Sequence, residues 1–148
     1  MFLKLNVLAF VANPTKEQIN RTLKVYCLLT EKRVGRINAR AVAEGRSQIR
    51  YKEEETYSPT VTLESIMLCS LIDALEKRHV VPVDIKGAFL KADVPEELDL
   101  ILKMEGELAE LFAELNPEFK LNEEGILYLR CQTAQYGHIE AARLFNDD

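Results

Sequence analysis

Val83-Asp84-Ile85-Lys86-Gly87-Ala88-Phe89-Leu90 is the stretch on which the fold turns. His79 to Val83 (HVVPV) leads into it as a short apolar strand. Pro82 withholds one ladder donor there, so the pairing is at an edge or irregular. Asp84 then stands at the end of a buried strand, and Gly87-Ala88-Phe89-Leu90 turns away from it. A carboxylate beside a tight turn is where a phosphate-bound metal could approach. An Asp at a strand end is also an ordinary turn former, so the octapeptide alone assigns no chemistry.

Upstream, Thr62 caps a helix over Leu63 to Lys77. Its Ile66, Met67, Leu68, Cys69, Leu71, Ile72 and Leu75 cover nearly the whole circumference, which predicts a central element buried on several sides. Glu44 to Pro59 is polar, lacks an apolar period and reads as loop. Before it, Val25 to Glu31 (VYCLLTE) and Arg36 to Ala43 (RINARAVA) flank Gly35 as a hairpin with a basic return strand. Thr15 and Gln18 form a capping-box start for a short helix near residues 16 to 24. The opening MFLKLNVLAFVA reads as a buried or edge strand rather than a secretory signal, because Asn6 interrupts the apolar run, only Lys4 is basic and Phe10 spoils a cleavage site.

Downstream, Leu98 to Met104 and Ile126 to Cys131 read as strands. Gly106 to Leu115 reads as a helix with Leu108, Leu111, Phe112 and Leu115 inward, a core stripe rather than a cofactor box. A last helix covers Glu140 to Phe145. Helices and strands are mixed without regular alternation, so the expected class is α+β, with a mixed or antiparallel sheet and packed helices, rather than a doubly wound sheet. No internal repeat or low-complexity linker interrupts the chain.

With 148 residues, 47% of them hydrophobic, the chain can bury one core but not two. No run approaches the roughly 18 apolar residues of a membrane span, so a soluble protein without a membrane partner is expected. Cys27, Cys69 and Cys131 are odd in number and widely separated, which suggests neither a disulfide framework nor a zinc site and suits an intracellular, cytoplasmic or nuclear setting. His79 and His138 lack a Cys or His at ligand spacing and a Ser or Cys partner, and read as structural.

The net charge of −5 hides a polarised chain. Between Lys32 and Lys52, Lys32, Arg33, Arg36, Arg40, Arg46, Arg50 and Lys52 face the single acid Glu44, whereas from Asp93 to Glu124 acids outnumber Lys103 and Lys120 more than fivefold. The basic block can neutralise phosphates and the acidic one repels them, so nucleic acid is expected at the first. From charge alone, two ordinary solvated faces are the simpler reading.

Four segments, taken in order, carry a family resemblance. Arg36-Ile37-Asn38-Ala39-Arg40-Ala41-Val42-Ala43-Glu44-Gly45 resembles the Lys-Ala-Arg-Leu-Val-Ala-x-Gly fingers strand of copia-type retrotransposon reverse transcriptases. Glu53-Glu54-Glu55-Thr56-Tyr57-Ser58-Pro59-Thr60-Val61 resembles the acidic-aromatic-Ser-Pro-x-Val stretch that follows it there. Asp84 to Leu90, with Asp93 and Glu96-Glu97 beyond, is similar to that family's Asp-Val-Lys-Thr-Ala-Phe-Leu-x-x-Asp and its trailing acids. Ala134-Gln135-Tyr136-Gly137 to Glu140-Ala141-Ala142-Arg143-Leu144-Phe145 resembles Ala-Leu-Tyr-Gly-Leu-Lys-Gln-Ala-Pro-Arg-Leu-Trp. The resemblance covers residues 28 to 146, the partial fingers and first part of the palm. Residues 1 to 27 form an unassigned strand and helix, and 147 to 148 a tail.

The resemblance implies an RNA-directed DNA polymerase, with RNA template, DNA primer and deoxynucleoside triphosphate as partners and magnesium as cofactor. It makes Asp84 the first catalytic, metal-binding carboxylate of the palm and the carbonyl of Ile85 a second metal ligand. It puts Phe89 under the incoming sugar, where a flat ring leaves no room for a 2′-hydroxyl. Arg40 becomes a bidentate clamp on the triphosphate, and Arg33, Arg36 and Arg46 become nucleic-acid contacts. Departures bear on each role: Asn38, Thr133 and Glu140 stand where the family has Lys, Lys and Gln, the last bringing negative charge near the nucleotide phosphates. Ala142 replaces the motif's Pro, and Asn146 replaces an aromatic.

The family's second pair of aspartates lies on a Tyr-x-Asp-Asp hairpin. Phe145-Asn146-Asp147-Asp148 mimics it, but Phe145 matches the Trp after Ala-Pro-Arg-Leu, and no returning strand follows. One aspartate cannot cage two cations, so an incomplete palm, inactive alone, is expected, with sheet edges left uncovered. The thumb and RNase H regions are expected to be missing too. Two other expectations stay open: a nucleic-acid or protein interaction module using the basic hairpin, or an α+β domain without nucleotide chemistry.

Overall fold

The computed structural model describes residues 7–48 and 60–147. Five strands form one mixed sheet in the order β1-β5-β4-β2-β3, where β1 is Leu8–Phe10, β2 Leu23–Glu31, β3 Ile37–Ala43, β4 Ile101–Met104 and β5 Leu127–Cys131. Every neighbouring pair is antiparallel except β2 with β4. The α+β expectation holds, and the N-terminal apolar run forms the edge strand β1. The loop predicted over 44 to 59 lies largely outside the described residues, as do Arg50, Lys52 and most of the Glu53–Val61 segment.

Alternation along the strands makes two apolar faces. Leu23, Leu102, Met104, Leu127, Leu129 and Cys131 build the main core with Ala109 and Phe119, while Ile101, Ile126 and Tyr128 form a smaller cluster. Helix α3, Glu107–Leu115, lies against the main core through Ala109, Leu108 and Phe112. Leu111 and Leu115, expected inward, are half or more exposed, because the small Ala109 is the residue that meets the sheet.

Helix α1, Lys16–Arg21, is shorter than expected and carries the predicted capping box: Gln18 N donates to Thr15 Oγ1 at 3.2 Å, and Thr15 N donates to Gln18 Oε1 at 2.9 Å. The Gln18 amide also donates to Asp99 at 2.6 Å, and Arg130 pairs with the other Asp99 oxygen at 2.8 Å, tying α1 to β5. Asp99 sits in the left-handed region at φ 37°, after a 3-10 turn over Glu96–Leu98. That bend delays β4 to Ile101, three residues past the expected start.

Two expectations are corrected around residue 80. Helix α2, Leu63–Leu75, forms as predicted, with Thr62 Oγ1 accepting from Ser65 N, but none of its residues is buried. Its all-round apolar surface demands partners on several sides, and the strands that make the core are satisfied by α3 instead. His79 to Val83 is not a strand: Val80, Val81 and Val83 are 69%, 73% and 83% exposed, and Pro82 removes a donor with no compensating burial.

Candidate nucleotide and nucleic-acid site

Three stretches of chain meet at Tyr136-Gly137. β3 leaves the hairpin and ends at Ala43, whose amide donates to the Tyr136 carbonyl at 2.7 Å. Gly45 and Gly137 then pass so closely that a Cβ on either would strike backbone: the Gly137 carbonyl in the first case, the Ala43 carbonyl in the second. Gly137 also has φ +90°, a conformation that L side chains rarely adopt. The Gln48 side chain completes the junction by accepting from Ile139 N at 3.2 Å.

Phe89 reaches the same place from a third segment. Gly87, in the left-handed region at φ 66°, starts a 3-10 turn over Ala88–Lys91. The Phe89 ring meets Tyr136 edge-on at 5.2 Å and Phe145 at 6.1 Å. Below them, Ala92, Ala134, Ala141 and Leu144 form a small core joining this turn to α4, Ala141–Asp147. Ala134 N donates to Ala92 O at 2.8 Å, a second backbone tie.

The hairpin bears the cations. Its turn is closed by Gly35 at φ +72° and carries Lys32, Arg33 and Arg36, all exposed. Arg40 lies opposite Leu28 on β2, and the two-residue strand repeat puts it on the face of Val42. Val42 Cγ1 in turn abuts Gly137. Arg40 therefore shares a face with the residue that touches the Tyr136-Gly137 turn, on which Phe89 packs. Arg46 is exposed in the 3-10 turn Gly45–Ser47 just beyond.

Asp84 and Ile85 are placed differently from the expectation of a buried strand end. Both are exposed, in a segment without regular structure before the Gly87 turn. Among the described residues, no three His, Cys, Asp or Glu side chains gather in a way that could hold a metal ion. The residues described do not make a complete cation site. Asp147, one of the acids in the Tyr-x-Asp-Asp look-alike, lies on α4 and pairs with Arg143 at 3.4 Å, so this segment is a helix and not a hairpin.

Glu140, expected to place a negative charge near the nucleotide phosphates, is turned into the protein. Its side chain is buried, with Arg143 at 3.5 Å from one oxygen and His138 Nε2 at 3.2 Å from the other. Burial, aided by Arg143, lowers His138 from 6.5 to about 4, so the imidazole is neutral near pH 7. Of the two histidines expected to be structural, His138 is buried and His79 is exposed. Sequence reasoning missed this grouping of buried His138 and Glu140 with the half-buried Arg143, although the charged spacing His-x-Glu-x-x-Arg on one short helix entry was visible.

A separate cleft of about 730 Å³ is lined by Asp93, Glu96, Asp99 and Arg130 among other residues. Its arginine is already paired with Asp99, and the remaining acids repel a triphosphate. It is not a nucleotide site. Nor does any helix among the described residues have the length and apolarity to cross a membrane.

No curated protein and no solved structure matches the chain. A family profile described as reverse transcriptase (RNA-dependent DNA polymerase) matches residues 5–144, which takes in β1 and α1 as well as nearly all of the four segments that carry the resemblance. With nearly the whole chain inside that match, and with its hairpin, Phe89 turn and Tyr136-Gly137 turn folded against one another, the chain belongs to the reverse transcriptase (RNA-dependent DNA polymerase) family.

Proposed function

We propose that this chain is the fingers and first palm portion, residues 28–146, of a copia-type retrotransposon RNA-directed DNA polymerase, and that these 148 residues do not polymerise by themselves. The basic hairpin, through Arg33 and Arg36, and Arg46 in the turn just beyond it hold the RNA template and DNA primer. Arg40 clamps the triphosphate and Phe89 faces the sugar. The observation that carries this is the convergence of β3, the Phe89 turn and the Tyr136-Gly137 turn, three separate stretches that each resemble the family.

Asp84 would contribute one carboxylate, and Ile85 one carbonyl, toward a magnesium centre around which the described residues gather no further acids. The exposure of Asp84 supports this assignment, since a carboxylate meant to complete a cation cage with other acids must stay accessible. Primer extension on an RNA template with magnesium tests the proposal, comparing this chain with one extended through a Tyr-x-Asp-Asp segment. The expected result is synthesis from the extended chain only, abolished by Asp84→Asn. Synthesis that survives Asp84→Asn would remove the assignment.

A second reading, as a nucleic-acid-binding module, is favoured by the exposed cations of the hairpin and needs no metal. It predicts salt-dependent capture of an RNA/DNA hybrid that Asp84→Asn leaves unchanged.

A further inference from the structure

Resting on the proposed place of Phe89 at the sugar, we propose that Tyr136 is a positioning residue that fixes the Phe89 ring and thereby sets discrimination between deoxyribo- and ribonucleotides. A ring can exclude a single oxygen only if it is held to within roughly 0.5 Å. Phe89 rides on a 3-10 turn of four residues and is only half-buried, so its own segment does not supply that restraint.

The restraint comes from across the fold. Tyr136 meets the Phe89 ring at 69° and 5.2 Å, and Phe145 meets it at 85° and 6.1 Å. Both are edge-to-face contacts, in which the positive edge of one ring rests on the negative face of another, and they oppose rotation of the Phe89 ring. Tyr136 is itself held: its carbonyl accepts from Ala43 N, and the adjoining Gly137 is locked against Ala43. It is the Tyr136 ring that meets Phe89, so the ring is the working part. The same backbone tie joins Tyr136, on which the Phe89 ring packs, to the end of β3, the strand that carries Arg40, so the sugar-facing ring and the phosphate-facing guanidinium are referred to one frame.

The test is equilibrium binding of dGTP and GTP, with magnesium and an RNA/DNA template–primer presenting a template cytosine. A hydrophobic site rejects an added hydroxyl by roughly tenfold to a hundredfold, and the unaltered chain should show a preference for dGTP in that range. Tyr136→Phe should keep the ratio. Tyr136→Ala, and independently Phe145→Leu, should bring it to within about threefold of unity, mainly by strengthening GTP binding.

If Tyr136→Ala weakens both nucleotides equally, or leaves the ratio unchanged, Tyr136 is only structural support and the inference is wrong, while the role of Phe89 stands. If the unaltered chain does not discriminate, or Phe89→Ala has no effect on the ratio, the reading of Phe89 fails and takes this inference with it. Should Tyr136→Ala not fold, Tyr136→Leu, which keeps most of the bulk and removes the aromatic edge, decides between these outcomes.

Discussion

Gly45 packs against the Gly137 carbonyl and Gly137 against the Ala43 carbonyl, and neither glycine has room for a side chain. Their contact joins the end of the basic strand β3 to the turn that carries Tyr136, and so holds two distant segments of the chain together.

Gly137→Ala should therefore destabilise the chain by about 2–4 kcal/mol, combining a steric clash with a positive φ. Gly35→Ala, at φ +72° but with open space around it, should cost only about 1–2 kcal/mol. Urea unfolding of both variants measures the difference. Equal costs would mean that the close approach is not formed in solution.

Stability should fall on mild acidification. The folded chain holds His138 near 4, against 6.5 in the unfolded state, so the unfolded chain takes up a proton first. The contribution is complete above pH 6.5 and is lost progressively as the pH falls toward 4. The urea midpoint should drop between pH 7.5 and pH 5, and His138→Phe should flatten that part of the profile. An unchanged slope in the variant would place His138 in water.

The exposed helix and the buried strand should respond oppositely to mutation. Leu129→Ala, at a fully buried position of β5, should cost about 2–5 kcal/mol. Leu71→Gln or Leu75→Gln on α2, both more than half exposed, should stay within about 0.5 kcal/mol. Comparable losses at the two places in urea unfolding would show α2 to be covered in solution.

Binding of an RNA/DNA hybrid should weaken as salt rises. Removing Arg33 and Arg36 together should reduce the slope of log K against log salt by about two, close to one for each phosphate left without its cation. Glu107 and Glu110, on the acidic half of the chain, should leave the slope unaltered when changed to Gln. A slope indifferent to the arginines would move the nucleic-acid footprint off the hairpin.

Local signals in the sequence determined the elements whose causes are local: the Thr15 capping box, the Thr62 cap, the hairpin closed at Gly35, the strand at residues 127–131 and the α+β class. Each depends on side chains and dihedrals within a few residues, so the order of residues is sufficient information. Burial is decided between elements, and there the same reasoning misplaced α2, the 79–83 segment, Leu111 and Leu115. An apolar helix states only that it needs cover and does not say which neighbour provides it. Motif order was sufficient to suggest the family, but only the tertiary structure brought Gly45 to Gly137 and Phe89 to Tyr136, and turned Glu140 inward onto Arg143. Those approaches span long stretches of chain and arise from the joint packing of the sheet, the Phe89 turn and α4, which no local pattern encodes.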